Sequence, residues 1–438
     1  MAQPSVLIVC SVFPPVNATG ARRPFMLARH LVDHGHQVTV LTGGRGDGDP
    51  WTADLTGIDI HRFEHGGLQG LNGPVRKALA KKLIDPGEAG ASALVRILAF
   101  FLLPLEYTSR PFIPSDPVFR TCSAPDILIA TGPGWSTFEV GQRLANHWKC
   151  TYLVDYRDPW VVHHADIALR TTTWYGRGVL GFMRRTWIRM LEKSHTRGIH
   201  GATAATGPLL DNTARSIPAV PMRTVLNGTE PQIFRPPPPA SGPVLVLHPG
   251  RLYHEQDWES VLDVLYRLHA NGVSGRDLQF VFLGATTEAS GLIEALHGCA
   301  ARTGLLRMEG RVSLEQVNSW TTDADLLLHL GFRGKRGILP LKFLEYLSAD
   351  RPILQFSSEH AEVEEVIDRT RTGIIVRDID SLQTALQEAI NMKRLGKSIH
   401  YEPDRSVINE YQWSNRMAEW RSFILEVHRS QIEKGDEK

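Results

Sequence analysis

The chain has 438 residues and a formal net charge of +1 at pH 7. That length can hold two full hydrophobic cores, and the near-neutral balance excludes the strongly basic surface of a nucleic-acid-binding protein, so no nucleic acid is expected as partner. Its four cysteines, Cys10, Cys122, Cys150 and Cys299, form no C-x-x-C pair, a pattern of a reducing, cytoplasmic setting without a zinc site.

The first apolar run, 5–10 (SVLIVC), reads as a strand rather than a signal peptide, because no basic region precedes it and Phe13-Pro14-Pro15 follows closely. A loop leads into the helical pattern ARRPFMLARHLVDHG and a second strand at 37–41, together a βαβ unit. Thr19-Gly20 stands near the helix start, where Thr can cap and Gly admits a ligand to the backbone. The loop has neither G-x-G-x-x-G nor a Walker lysine, so neither dinucleotide nor P-loop chemistry is supported.

A strand is expected at 58–63, and then residues 76–105 raise the question of a membrane. The apolar stretch 93–105 is too short to span a bilayer, contains Arg96 and is broken by Pro104. With Arg76, Lys77, Lys81 and Lys82 upstream it can dock peripherally on an anionic membrane, or form a core helix behind a solvated basic one.

Strands follow at 126–130 and 151–154, with a helix at about 138–147 between them. The second strand runs into DYRDPW, so Asp155, Arg157 and Asp158 crowd its carboxyl end, the edge where open α/β sheets bind ligands. Burying three charges alone is costly, so they are paired with one another or face a cleft. A helical pattern at 175–194 and apolar runs at 201–205 and 223–226 complete this half. Pro236 to Pro239 cannot continue a helix or central strand and read as a stiff connector.

A second α/β series begins with a strand at 244–247 that enters HPGRLYHEQDW. Helices at 259–270 and 289–300, strands at 279–283 and just before Gly310, and the helix SLEQVNSWTTDA lead to a strand at 325–330. Asp323-Ala324-Asp325 has the form of a metal-binding D-x-D, but it precedes an apolar strand and reads as the start of that strand. Gly337 and Pro340 mark a loop that breaks into the helix LKFLEYLSA, with Pro340 placed in the first turn, and a strand follows at 353–356. The N-terminus of such a helix offers free N–H groups and a positive dipole end to a diphosphate. Lys342 adds a full charge, and Glu345 one turn on can accept from vicinal hydroxyls such as those of a ribose; a plain surface ion pair is the alternative. The terminal YQWSNRMAEWRSFILEVH reads as one amphipathic helix with Trp413 and Trp420 on one face.

Taken in order, FPP…TG…LARHLVDHGHQVTVLT, DYRDPW, VLNGTEPQIF, HPGRLY, EGRVSLEQV, ADLLLHL, PLKFLEYLSADRPIL and YQWSNRMAEW resemble the retaining GT-B glycosyltransferases of family 4 over nearly the full length. The resemblance implies an α/β fold of two Rossmann-like doubly wound domains facing a central cleft. It makes 1–235 an acceptor-binding domain, 236–410 a nucleotide-sugar-binding domain, and 411–438 a helix that packs back on the first. It further implies transfer of a sugar, with retention, from a nucleotide-diphosphate sugar such as a UDP-sugar to a glycan, lipid-linked or small-molecule acceptor, with no cofactor and no metal.

On the same resemblance Glu345 holds the ribose, the N–H groups near Leu339 to Leu341 and Lys342 hold the diphosphate, and Gly337, Ile338 and Pro340 belong to the same donor site. Arg251 matches the family's arginine after the first strand of the second domain, and Arg311 and Val312 meet the base. Gly20 approaches phosphates or acceptor, and Arg157 and Asp158 hold the acceptor. Catalysis falls to Arg251 and Lys342, which stabilise the leaving diphosphate, and to Asp158 as a positioning group or base. Three departures stand out. Gly337 replaces the first of two glutamates spaced eight apart, Gln256 and Asp257 stand near the place of a lysine, and Arg157-Asp158 stands where His-Asp is common. A catalytically silent nucleotide-binding relative and a nucleotide-sugar 2-epimerase are the alternative readings.

Overall fold

The computed structural model describes residues 3–16, 18–43, 53–62, 122–132, 136–158, 179–253, 256–284, 290–310, 312–332, 338–356 and 361–436. It divides into two compact units, Met1–Leu226 with Arg416–Lys438, and Asn227–Asn415.

In the first unit the described elements run β1 (Val6–Cys10), α1 (Thr19–Asp33), β2 (Val38–Thr42), β3 (Ile58–Arg62), β4 (Ile127–Thr131), α2 (Ser136–Trp148), β5 (Thr151–Tyr156), α3 (Val179–His195), β6 (Gly201–Ala204), α4 (Gly207–Thr213) and β7 (Met222–Thr224). The strands form a parallel sheet in the order β3-β2-β1-β4-β5-β6-β7. β1 lies between β2 and β4, with Leu7 opposite Thr39 on one side and Leu128 on the other. Every residue of β1, β4 and β5 is buried, as parallel strands covered on both faces require. Thr19 was expected near the helix start as a cap. It is instead the first helical residue, and Ala18 in the cap position makes no side-chain hydrogen bond.

In the second unit the order is β8 (Val244–Pro249), α5 (Trp258–Ala270), β9 (Leu278–Leu283), α6 (Ser290–Thr303), β10 (Leu306–Glu309), α7 (Leu314–Asp323), β11 (Leu326–Leu330), α8 (Leu341–Ser348), β12 (Ile353–Phe356), α9 (Ala361–Thr370), β13 (Gly373–Val376), α10 (Ile379–Arg394) and α11 (Arg405–Glu410). Its parallel sheet has the order β10-β9-β8-β11-β12-β13. Each sheet therefore winds outward from its first strand, reverses, and continues on the other side, the arrangement of a doubly wound Rossmann-like sheet. The reversal lies between β1 and β4 in one unit and between β8 and β11 in the other. At such a point successive loops diverge and leave a crevice at the carboxyl edge.

The last helix, α12 (Trp413–Asp436), returns to the first unit from Arg416 onward. Trp420 is 1% exposed, and the Arg23 guanidinium of α1 stacks 4.3 Å from its ring centre. His36 turns Nδ1 to the Pro4 carbonyl at 2.8 Å, which leaves Nε2 to accept from Arg421 Nε at 3.0 Å. Within the second unit Gly228 has no room for a side chain, since a Cβ there would lie 2.7 Å from Trp413 Cα. Pro236 also belongs to this unit, and its carbonyl accepts from Arg351 Nη2 at 2.7 Å. Among the described residues no helix is long and apolar enough to cross a membrane, and 76–105 lie outside them.

Candidate functional site

Lys342 is positioned by the helix that carries it. α8 presses Phe343, Leu344 and Leu347 fully into the core, and Tyr346 Oη donates to the Leu328 carbonyl of β11 at 3.2 Å. Phe343 stands edge-on to His329 of the same strand, with ring centres 5.3 Å apart. Pro340 is the cap residue, one position before the first turn expected for it, and it supplies no side-chain acceptor to the first N–H groups. The start of α8 thus combines N–H groups that its cap side chain leaves without an acceptor, the positive end of the helix dipole and a lysine in its first turn.

The lysine reaches across the reversal point to β8. Its Nζ lies 2.7 Å from His248 Nε2, while His248 Nδ1 lies 3.0 Å from the Leu328 carbonyl. A carbonyl only accepts, so Nδ1 carries the proton and Nε2 receives the hydrogen bond from Lys342. Burial, then the neighbouring lysine, hold His248 well below the usual imidazole range, so it stays neutral. Burial of the ammonium pulls the Lys342 pKa down to about 7, partly offset by the Glu345 carboxylate. The site therefore holds a cation poised between charged and neutral, which an arriving anion would lock in the charged form.

The loop after β8 is shaped around this pair. Gly250 has φ +97°, a conformation that favours glycine, and Lys342 Nζ passes 3.7 Å from where its Cβ would stand. Gln256 Nε2 donates to the Leu330 carbonyl at 2.9 Å and its Oε1 accepts from Tyr253 N at 2.9 Å, which ties this loop to the end of β11. Asp257 caps α5 by accepting from Ser260 N. At the two positions near which a lysine was expected, Gln256 and Asp257 thus shape the loop.

The residues singled out from the sequence fall along this edge. Arg251 is exposed just after β8, and Leu339, Pro340 and Leu341 lead into α8, with Ile338 and Glu345 half-buried beside them. Val312 follows β10, two strands from β8, hence about 10 Å away across the sheet. Arg311 and Gly337 lie outside the described residues. Asp325 is at the opposite, amino edge, where it accepts from Leu245 N at 2.8 Å and Lys393 Nζ at 2.5 Å, so it starts β11. A cavity of about 500 Å³ opens at that amino edge too, lined by Leu326, Pro352, Arg371 and Gly373 among others.

In the first unit the crowded end of β5 separates into two roles. Asp155 is fully buried and accepts from Arg23 Nε at 3.0 Å, Arg23 Nη2 at 2.8 Å, Thr131 Oγ1 at 2.8 Å and Thr203 Oγ1 at 2.8 Å. Arg23 Nη1 goes on to the Val225 carbonyl at 2.8 Å. This ion pair knits α1, β4, β5, β6 and the end of the sheet. Arg157 is part-buried and donates from Nη1 to the Gly20 carbonyl at 2.6 Å, so the structure brings these two candidates together. A Cβ on Gly20 would stand 3.3 Å from the same guanidinium nitrogen. Asp158, next in the chain, is exposed.

No family profile and no curated protein sequence matches the chain. Solved structures do. Sucrose-phosphate synthase from Thermosynechococcus elongatus superposes with a TM-score of 0.63 at 15% identity, over 98% of this chain and 100% of its own. The fold is GT-B. The UDP-forming α,α-trehalose-phosphate synthase of Burkholderia vietnamiensis matches with a TM-score of 0.61 at 10% identity, over 98% of this chain and 100% of its own. HepE of Anabaena, solved in complex with UDP-glucose, matches over 100% of both chains with a TM-score of 0.53 at 11% identity. At these identities the likeness is one of GT-B architecture.

Sequence reasoning missed two residues of this arrangement. His248 was legible as a histidine closing an apolar strand just before Pro249-Gly250. Arg23 carried no signal, because its partner Asp155 lies 132 positions away.

Proposed function

We propose that the chain is a retaining glycosyltransferase of the family 4 type, moving a sugar from a nucleotide-diphosphate sugar to a glycan, lipid-linked or small-molecule acceptor. The observation that carries this reading is the Lys342–His248 pair at the first turn of α8, on the carboxyl edge of the second GT-B sheet, with Glu345 one turn further on. A GT-B neighbour crystallised with UDP-glucose makes UDP the first nucleotide to test.

In this reading Lys342, Arg251 and the N–H groups around Leu339 to Leu341 receive the diphosphate, and Glu345 accepts from the ribose hydroxyls. Val312 and Arg311 meet the base. The acceptor, near Gly20, Arg157 and Asp158, attacks the anomeric carbon from the face that the diphosphate leaves, and the departing phosphate oxygen takes the acceptor's proton. Negative charge grows on the diphosphate as the glycosidic bond breaks, so a preformed cation and aligned N–H groups lower that barrier. Peripheral membrane contact through 76–105 and a cytoplasmic location belong to the same proposal.

A second reading, a catalytically silent nucleotide-binding relative, is favoured by Gly337 at the place of a family glutamate. Incubation with UDP-glucose and other nucleotide sugars separates them. Glycosyl transfer or slow donor hydrolysis that disappears in Glu345→Ala supports the transferase. Binding without turnover supports the silent relative, and an epimeric sugar formed from donor alone identifies an epimerase.

A further inference from the structure

Helix α3 is apolar on two opposite faces. Ile188 at 0% and Glu192 at 2% exposure point inward, with Trp187 and Leu191 packed against the core of the first unit. Val179, Phe182, Met183 and Met190 are 74%, 63%, 51% and 65% exposed. Their spacing of i, i+3, i+4 and i+11 puts them on the side opposite the buried face, with the exposed Thr186 between Met183 and Met190. Isolated exposed apolar side chains are ordinary, but four on one side of a single helix form a patch.

The charges on α3 are equally one-sided. Arg185, Arg189 and Lys193 recur at i, i+4 and i+8 along one flank of the patch, with Arg189 and Lys193 exposed and Arg185 half-buried. The helix has one carboxylate, Glu192, and it is turned into the core. The outward surface of α3 therefore presents apolar side chains and Thr186, flanked by cations, with the helix's one carboxylate turned away.

We propose that the outward face of α3 docks on an anionic lipid bilayer, with Phe182, Met183 and Met190 entering the acyl boundary and Arg189 and Lys193 meeting the headgroups. Charge complementarity selects this occupant. An isologous contact with a second copy would set one basic ladder against another, whereas an anionic headgroup layer satisfies both apolar patch and cations. The surface is independent of the transferase reading, because its test measures binding and not turnover.

The experiment is flotation of the full-length protein with phosphatidylcholine vesicles, with and without one-third phosphatidylglycerol, at low and high salt. The wild type is expected to float only with the anionic vesicles and to be released by salt. A cation near such a surface contributes about fivefold in affinity, so R189E/K193E should weaken binding by about 25-fold or more, and F182S/M183S by on the order of tenfold. These positions are exposed, so the variants should melt with the wild type. Absence of flotation, equal flotation on neutral vesicles, or α3 variants that float like the wild type would each overturn the proposal. So would loss of flotation in K81E/K82E alone, which assigns docking to 76–105, or a dimer abolished by F182S/M183S, which assigns the face to self-association.

Discussion

Lys342 Nζ donates to His248 Nε2 across 2.7 Å, and the imidazole can only accept because its other nitrogen is held by the Leu328 carbonyl. A neutral acceptor and a confined ammonium make Lys342 easy to deprotonate, near pH 7. The folded pKa lies below the lysine reference of 10.5, so the folded state binds fewer protons than the unfolded one between about 7 and 10.5, and this group adds stability as pH rises through that window.

A nucleoside diphosphate reverses this preference. Binding at pH 8 should take up nearly one proton, seen as a difference in calorimetric heat between buffers of unlike ionisation enthalpy. Affinity should fall as pH rises above about 7. In Lys342→Met the uptake should vanish and binding weaken by roughly 1.5–3 kcal/mol, the loss of a charge-assisted hydrogen bond. Equal heats in both buffers for the wild type would show that Lys342 does not meet the ligand.

The Arg23–Asp155 pair predicts a stability effect far from any ligand. Asp155→Ala leaves a buried guanidinium without its carboxylate and should cost about 3–5 kcal/mol in denaturant unfolding, while Arg23→Met/Asp155→Leu should recover much of it. The unfolding signal of Trp420, on which Arg23 stacks, should report the loss. A single variant within about 1 kcal/mol of wild type would contradict a structural role.

Glu192 predicts the opposite pH slope to Lys342. Burial raises its pKa from 4.5 to about 7, so the folded state binds more protons than the unfolded one between those values, and stability from this group is lost as pH rises through the window. Glu192→Gln should gain on the wild type by roughly 3 kcal/mol between pH 5 and pH 8. A constant difference between the two proteins across that range would place the carboxylate in a more solvated setting.

The sequence carried much of this fold because parallel strands buried on both faces appear as short β-branched runs. Residues 353–356 were read as a strand and are β12 at those residues. Lys342 and Glu345 could be singled out because a proline-led helix after an apolar strand is a local pattern. The Asp155–Arg23 pairing could not, since only the folded sheet brings β5 beside α1. α9, β13, α10 and α11 were absent from the sequence assignment although Asp378 and Ser381 form a capping box at the start of α10. β13 is a four-residue edge strand with Ile374 exposed, which leaves little alternation to read. The helical pattern at 175–194 was legible and is α3, but its outward apolar residues were not, because apolar residues on two faces leave no single face marked as the buried one.

The most direct test of the account is a thermal-shift screen of the wild type and Glu345→Ala against UDP, GDP, ADP, dTDP and CMP. A diphosphate at about a hundred times its dissociation constant should stabilise the wild type by roughly 2.7 kcal/mol, a shift of a few degrees. One nucleoside diphosphate is expected to give this shift, and Glu345→Ala to remove it. No shift with any of them, or an undiminished shift in Glu345→Ala, would contradict a nucleotide-sugar site at the start of α8.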